Sequence, residues 1–253
     1  MNNISLAIVI PCYNEYERMP VSDFERFLRN RPDAAVCIVN DASTDKTSEM
    51  LRELKSSFES QVVVLNNEVN LGKAESVRRG ILYCHENKIA PTLAYLDADL
   101  ATSLEECYSY LNYLDGKQFV FASRILKIGS VLERRFSRFL IGRIIATVIS
   151  NLLQIKVYDT QCGCKVFRSE LAPLLFGEKF ISTWLFDVEL FSRMLIHFGN
   201  EKGLSLMDEI PVKRWVDQGE SKVKLTYFFR LGFDLWKIRR FHRKGMKNRT
   251  SQT

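Results

Sequence analysis

Five short apolar runs, each followed by a polar stretch, dominate the first half of the chain. The runs are ISLAIVI (4–10), AAVCIVN (34–40), QVVVLNN (61–67), PTLAYLD (91–97) and QFVFAS (118–123). Between them, residues 21–29, 44–57, 73–87 and 104–114 repeat apolar positions at helical spacing. A strand that is apolar on both faces has to be covered on both faces. Alternation with helices therefore predicts an α/β fold with a mostly parallel central sheet flanked by helices. At 253 residues, 46% of them hydrophobic, the chain is long enough to bury such a core in one domain. After Ser123 the regular alternation stops. A basic and then apolar segment (124–155) is followed by YDTQCGCKVFRSE (158–170), a helix-like 181–195 and a β-like 204–216. The expected division is a main domain over 1–222 and a basic amphipathic helix and tail over 223–253.

Sheets of this kind bind ligands beyond the carboxyl ends of their strands. The segments expected there are PCYNE (11–15), NDASTDKT (40–47), NEVNLGKA (67–74) and DADLAT (97–102). Neither GxGxxG nor GxxxxGK[ST] occurs, so the dinucleotide and P-loop readings lose their defining element. Asp97 and Asp99 stand two apart, a spacing that puts both carboxylates on one side of an extended chain. Either they solvate a loop or they hold a hard divalent cation, Mg²⁺ or Mn²⁺, whose shell is completed by water and phosphate oxygens. Ser43 or Thr44 suits a helix cap, and Asp45 the positive end of a helix. Asp41 precedes the cap and is free to accept from a nucleobase edge. Lys73 at a helix start faces the wrong end of the dipole, which points to an anion in front of it.

The net charge of +6 is unevenly spread: Lys and Arg outnumber the single acid, Glu133, over 124–143, and dominate KIRRFHRKGMKNR (237–249). The six cysteines lie in core-like segments, without the spacing of a zinc site, and predict reduced thiols and a cytosolic compartment. No secretory signal is expected from MNNISLAIVI. The most apolar stretch, FLIGRIIATVISNLLQI (139–155), is interrupted by Arg143 and fits an interfacial or packed helix better than a membrane span.

Taken together, IPCYNE, NDASTDKT, NLGKA, YLDADLAT, Ser123–Arg124 and DTQCGCKVF resemble family 2 glycosyltransferases of the GT-A fold. More narrowly they resemble the dolichyl-phosphate glucosyltransferase and polyprenyl-phosphate mannosyltransferase group, over residues 4–222. The resemblance implies that Pro11, Tyr13, Asn14, Glu15 and Asp41 hold the base and ribose of a nucleotide-sugar donor. It places Lys73 on the nucleobase side, Asp97 at ribose and diphosphate, and Asp99 as the main metal ligand, with Asp97 assisting. Gln161 is expected at the sugar. Asn40 stands where many relatives carry a second aspartate. Ala101 stands where the mannosyltransferases place a glutamine, and with DTQCG this favours UDP-glucose over GDP-mannose.

The implied reaction is inverting, metal-dependent transfer of a hexose to a polyprenyl or dolichyl phosphate. Asp187 is the expected orienting carboxylate or base, with Glu189 nearby. A lipid phosphate, with a second pKa of about 6, is already anionic and needs cations more than a base. Arg124, Arg134 and Arg138 are expected at the acceptor phosphate, Arg124 also serving the chemistry, with Arg135 and Lys165 as further cations. Basic residues beside Phe, Leu and Trp suit a peripheral protein on the cytoplasmic face of a membrane. Trp215 and Lys222 are candidates for an acceptor-side loop. Three readings stay open: GDP-mannose as donor, a soluble glycan as acceptor, and a binding module without catalysis. Nucleic acid is not an expected partner, because no recognition motif accompanies the basic stretches.

Overall fold

The computed structural model describes residues 4–133, 136–216 and 226–250. Strands β1 (Leu6–Cys12), β2 (Ala34–Asn40), β3 (Val62–Asn66) and β4 (Thr92–Tyr95) alternate with helices α1 (Val21–Asn30), α2 (Thr47–Ser57) and α3 (Lys73–Glu86). Helix α4 (Leu104–Ser109), extended by one 3₁₀ turn, leads into β5 (Phe119–Ser123). Then follow β6 (Val131–Glu133), α5 (Phe136–Leu153), β7 (Lys165–Arg168), α6 (Ala172–Phe176), α7 (Phe186–Phe198) and α8 (Asn200–Ser205). Strands β8 (Met207–Pro211) and β9 (Arg214–Val216) and helix α9 (Thr226–Thr250) complete the chain.

The main sheet has the order β3-β2-β1-β4-β7-β5-β8, and β6 pairs separately with β9. β1 lies parallel to β2 (Leu6 opposite Ala34) on one side and to β4 (Leu6 opposite Thr92) on the other. Strand order thus reverses at β1, and the crevice this opens faces the loops singled out above. Both faces of β1 are apolar because each meets helices. Ala7 and Val9 pack with Val77 and Ile81 of α3. Leu6, Ile8 and Ile10 pack with Phe24 and Phe27 of α1 and Leu51 of α2. Each such buried side chain contributes about 1.5–3 kcal/mol relative to exposure.

Three features depart from expectation. β7 is antiparallel and sits between β4 and β5, with Tyr95 opposite Lys165 and Phe119 opposite Phe167. Its four residues begin with a lysine, which disguises a buried strand. α2 starts at Thr47 rather than at residue 44, because Asp45 Oδ1 accepts the Thr47 N–H at 3.0 Å and holds the preceding residues in a turn. β4 ends at Tyr95, so Asp97 and Asp99 lie on a turn and not on extended chain. The Leu100 N–H donates to the Asp97 carbonyl at 3.1 Å and Leu100 takes φ +50°, which bends the chain there.

α9 runs alongside α7 in the same direction. Ser182 Oγ donates to Asp234 at 2.7 Å, Ser192 Oγ and His242 Nδ1 lie 3.0 Å apart, and Arg249 reaches the His197 carbonyl. α5 buries Ala146, Ile149 and Leu153 and leaves Leu140, Ile141, Ile144 and Val148 exposed. Among the described residues no helix is long and apolar enough to cross a membrane. The expected boundary at 222/223, with Lys222, lies outside the described residues.

Candidate active site

The loops after β1 and β2 are tied into one wall. Asn14 N–H donates to Ser43 Oγ (3.0 Å), Asn14 Oδ1 accepts from Thr44 N–H (2.8 Å), and Glu15 N–H donates to Thr47 Oγ1 (2.9 Å). Asn14 (φ +53°) and Ala42 (φ +58°) both occupy the left-handed region, a strained conformation that concentrates at binding sites. Pro11 is the one half-buried residue of β1, between buried Ile10 and Cys12, and Tyr13 beyond the strand is 41% exposed. Asn40 is a buried tie, donating to Ser48 Oγ (2.8 Å) and Asn66 Oδ1 (3.0 Å) and accepting from Ser43 N–H (3.1 Å).

Asp41 is not a free acceptor. Its buried carboxylate takes hydrogen bonds from Asn67 Nδ2 (2.6 Å), Leu71 N–H (2.8 Å) and Gly72 N–H (2.8 Å). It therefore fixes the 67–72 loop, whose last residue, Gly72, takes φ +84°, a value that a side chain would disfavour. That loop delivers Lys73 to the crevice. Lys73 Nζ lies 2.5 Å from Asp97 Oδ1, which answers the question of what anion it faces. Burial acts to lower the Lys73 ammonium pKa, but Asp97, Asp187 and Asp99 outweigh it and raise it.

Asp97 and Asp99 remain partly open, at 38% and 26% side-chain exposure. Burial, and then the like charge of Asp97, push the Asp99 carboxyl above its usual range. Asp99 accepts the Ala101 N–H at 3.1 Å, and Arg18 stands 3.8 Å away. Two repelling carboxylates at a solvent-reachable edge are a donor set that fits a hard divalent cation. Among the described residues no cluster of three or more acidic, His or Cys side chains forms, so diphosphate oxygens and water would complete the shell. Gly163 closes over this pair. A Cβ there would lie 2.1 Å from Asp97 Oδ2 and 2.7 Å from its Cγ.

Arg124, expected at the acceptor phosphate and in the chemistry, is paired with Asp159. Its Nε and Nη2 donate to the two Asp159 oxygens at 2.6 and 3.0 Å, and its N–H donates to the same carboxylate at 3.1 Å. Burial would raise the Asp159 carboxyl, but the guanidinium overrides it and holds the pKa at about 2. Glu209 of β8 clamps the same turn by accepting the N–H groups of Tyr158 and Asp159 (2.9 and 2.8 Å). Arg124 also faces the Trp215 ring at 5.4 Å. Around this turn Ser123 Oγ, Thr160 Oγ1 and Gln161 Nε2 are buried with no hydrogen-bond partner among the described residues. Buried polar atoms without partners next to a crevice mark where a polar ligand would seat, and Gln161 is one of them.

Asp187, expected as a base, opens α7 but is likewise engaged. It forms an ion pair with the fully buried Lys165 and accepts from Tyr95 Oη at 2.5 Å. Lys165 also donates to the Cys162 carbonyl at 2.6 Å. The pair anchors α7 to β4 and β7 beneath Lys73. Glu189 caps the Ile181 and Ser182 N–H groups at 3.0 and 2.9 Å and is no nearer to acting as a base. Arg134 and Arg135 lie outside the described residues. Arg138 stands in the first turn of α5, and its side chain is likewise outside them. Cys162 and Cys164 are core groups, and burial pushes the Cys162 thiol up to about 11.

A mostly parallel sheet that reverses order at β1 and is flanked by helices gives the chain the GT-A glycosyltransferase fold. Solved structures agree on the fold. Glucosyl-3-phosphoglycerate synthase from Mycobacterium tuberculosis, solved with Mn²⁺, UDP and phosphoglyceric acid, aligns with a TM-score of 0.65 at 13% identity, covering 94% of this chain and 78% of that one. Mannosyl-3-phosphoglycerate synthase from Rubrobacter xylanophilus aligns at 0.64 and 15% identity, covering 96% and 76%. The chain belongs to glycosyl transferase family 2, whose sequence profile matches residues 7–175, and is a glycosyltransferase. Among curated relatives it is 28% identical to the dolichyl-phosphate beta-glucosyltransferase ALG5A of Trichomonas vaginalis, over 96% of this chain and 75% of the relative. It is 33% identical to the human dolichyl-phosphate beta-glucosyltransferase, over 73% of this chain and 61% of the relative.

Proposed function

We propose that the enzyme transfers glucose from UDP-glucose to a polyprenyl phosphate of the dolichyl class, on the cytoplasmic face of a membrane. The observation that carries this reading is the half-open Asp97–Asp99 pair facing Lys73, in a chain whose relatives are named dolichyl-phosphate beta-glucosyltransferases. UDP-glucose carries an α-anomeric bond, so a β product requires inversion.

Asp97 and Asp99 would hold Mg²⁺ or Mn²⁺, which when bound offsets charge growing on the departing diphosphate. Lys73, released from Asp97 by donor binding, supplies positive charge at the same oxygens. The joined wall of Tyr13, Asn14 and Glu15 borders the base and ribose, and Asp41 shapes that side by holding the 67–72 loop. Gln161 Nε2 is an unused donor suited to a sugar hydroxyl. Asp187 is engaged by Lys165 and by Tyr95 Oη, and an acceptor that is already an anion does not require a base. Arg124 positions the 158–161 turn, leaving Arg134 and Arg138 as the acceptor-phosphate cations. The exposed stripe Leu140, Ile141, Ile144 and Val148 on α5, with the stacked Phe233–Trp236 pair of α9, supports seating on lipid.

The test is to incubate the enzyme with dolichyl phosphate, Mn²⁺ or Mg²⁺ and either labelled UDP-glucose or labelled GDP-mannose, and to count label extracted into organic solvent. Label from UDP-glucose, abolished by a chelator and by Asp99→Asn at unchanged melting temperature, is expected. Label from GDP-mannose alone would overturn the donor. UDP release with a soluble glycan and no organic-phase label would overturn the acceptor.

A further inference from the structure

We propose that a crevice where the carboxyl end of α5 and the start of α8 meet the second half of α9 is a second ligand site, one that binds a phosphate group. Its volume is about 320 Å³, and its polar lining is Asn151, Gln154, Asn200, Arg239, His242 and Arg243. No carboxylate lines it. Arg239 and Arg243 are one helical turn apart on the same face of α9, where like charges repel. Neither has a hydrogen bond, ion pair or ring partner among the described residues, and the side-chain amides of Asn151 and Asn200 are equally free. Both arginines are exposed, whereas the more buried Arg124, Arg143 and Arg193 are engaged on Asp159, on the Tyr158 carbonyl and ring, and on three carbonyls. Two exposed guanidiniums lining one crevice with two side-chain amides form a set of donors with no protein acceptor among the described residues.

The remaining neighbours sharpen the chemistry. Gln154 already donates to the Asn151 carbonyl at 2.6 Å, closing the end of α5. His242 is buried, meets Ser192 through Nδ1 and lines the crevice. Leu152, Leu153 and Met246 form the apolar part of the lining. Paired guanidiniums present forks that match the tetrahedral oxygens of phosphate. The site is not an arm of the transfer crevice. Asp187 opens α7 at the catalytic edge and Asn200 follows its far end, so α7 alone separates them by about 20 Å. The shared chemistry is a phosphate monoester or diester, carried by a soluble metabolite or by a lipid headgroup.

The test uses the full chain, titrated with inorganic phosphate and, separately, with water-soluble dihexanoyl phosphatidic acid, read by calorimetry or amide chemical shifts. Binding of either is expected, weakened about tenfold for each guanidinium removed in R239A/R243A, while UDP-glucose affinity is unchanged. The lipid binding tighter than phosphate would assign the headgroup; phosphate binding alone would assign a soluble ligand. R240A/K244A, which removes equal charge from an adjoining face of α9, is expected to leave binding intact. An equal loss in R240A/K244A, no loss in R239A/R243A, or no binding of either probe would overturn the proposal.

Discussion

Gly163→Ala tests whether the acidic pair is held in place by its cover. The new Cβ would meet Asp97 Oδ2 at 2.1 Å, against ordinary contacts of 3.4–4 Å, so the carboxylate has to retreat by about 1 Å. The Asp97 side chain is 38% exposed and can rotate toward water, which keeps the cost to stability within about 0.5 kcal/mol. Retreat breaks its contact with Lys73 and spoils the spacing to Asp99. A 1 Å misplacement of a group that positions reacting atoms costs roughly 100-fold in rate, about 2.7 kcal/mol of barrier. Initial rates of glucosyl transfer, with urea unfolding on the same samples, separate the two effects. A variant that turns over within about threefold of the parent would refute the reasoning, as would one that loses activity only because it unfolds.

Asp159→Asn should destabilise the fold by about 2 kcal/mol at pH 7, judged by urea unfolding. The folded carboxyl sits at about 2, below the unfolded value, so its stabilisation is present above pH 4 and is lost as pH falls through 2; the variant should lack that acid limb. Lys165→Met leaves Asp187 as an uncompensated buried charge and should cost about 3–5 kcal/mol, part of it restored by adding Asp187→Asn. Replacing Leu140, Ile144 and Val148 together by serine should weaken binding to anionic vesicles about 100-fold without changing melting temperature.

Local pattern reveals what local pattern determines. β1 to β5 and the helices between them were readable because each is apolar on both faces or periodic on one, and the crevice loops followed from strand direction. β7 was not, since Lys165 disguises a core position whose charge is balanced by a residue 22 positions on. For the same reason the partners that hold Asp187 and Arg124, Lys165 and Asp159, could not be read from sequence spacing. Asp159 and Gly163 were visible only as parts of DTQCG, without the contacts that give them work. Glu209 carried no signal, because its task, receiving two N–H groups from residues 158 and 159, exists only once β8 lies beside β5. Asp41 was singled out as unusual, but its bonds run to the 67–72 loop that follows β3.

The placement of β7 has a consequence for synthesis of the chain. β4 and β5 are successive strands, yet they do not pair, and the strand between them is made about 70 residues after β4. At 5–20 residues per second, the open edge of β4 waits on the order of 4–14 seconds for its neighbour. Until then the nascent chain presents an unpaired apolar strand, the kind of edge that recruits other chains. Ribosome-bound fragments ending before Lys165 should therefore cling to a chaperone, and fragments that have cleared Arg168 should let go.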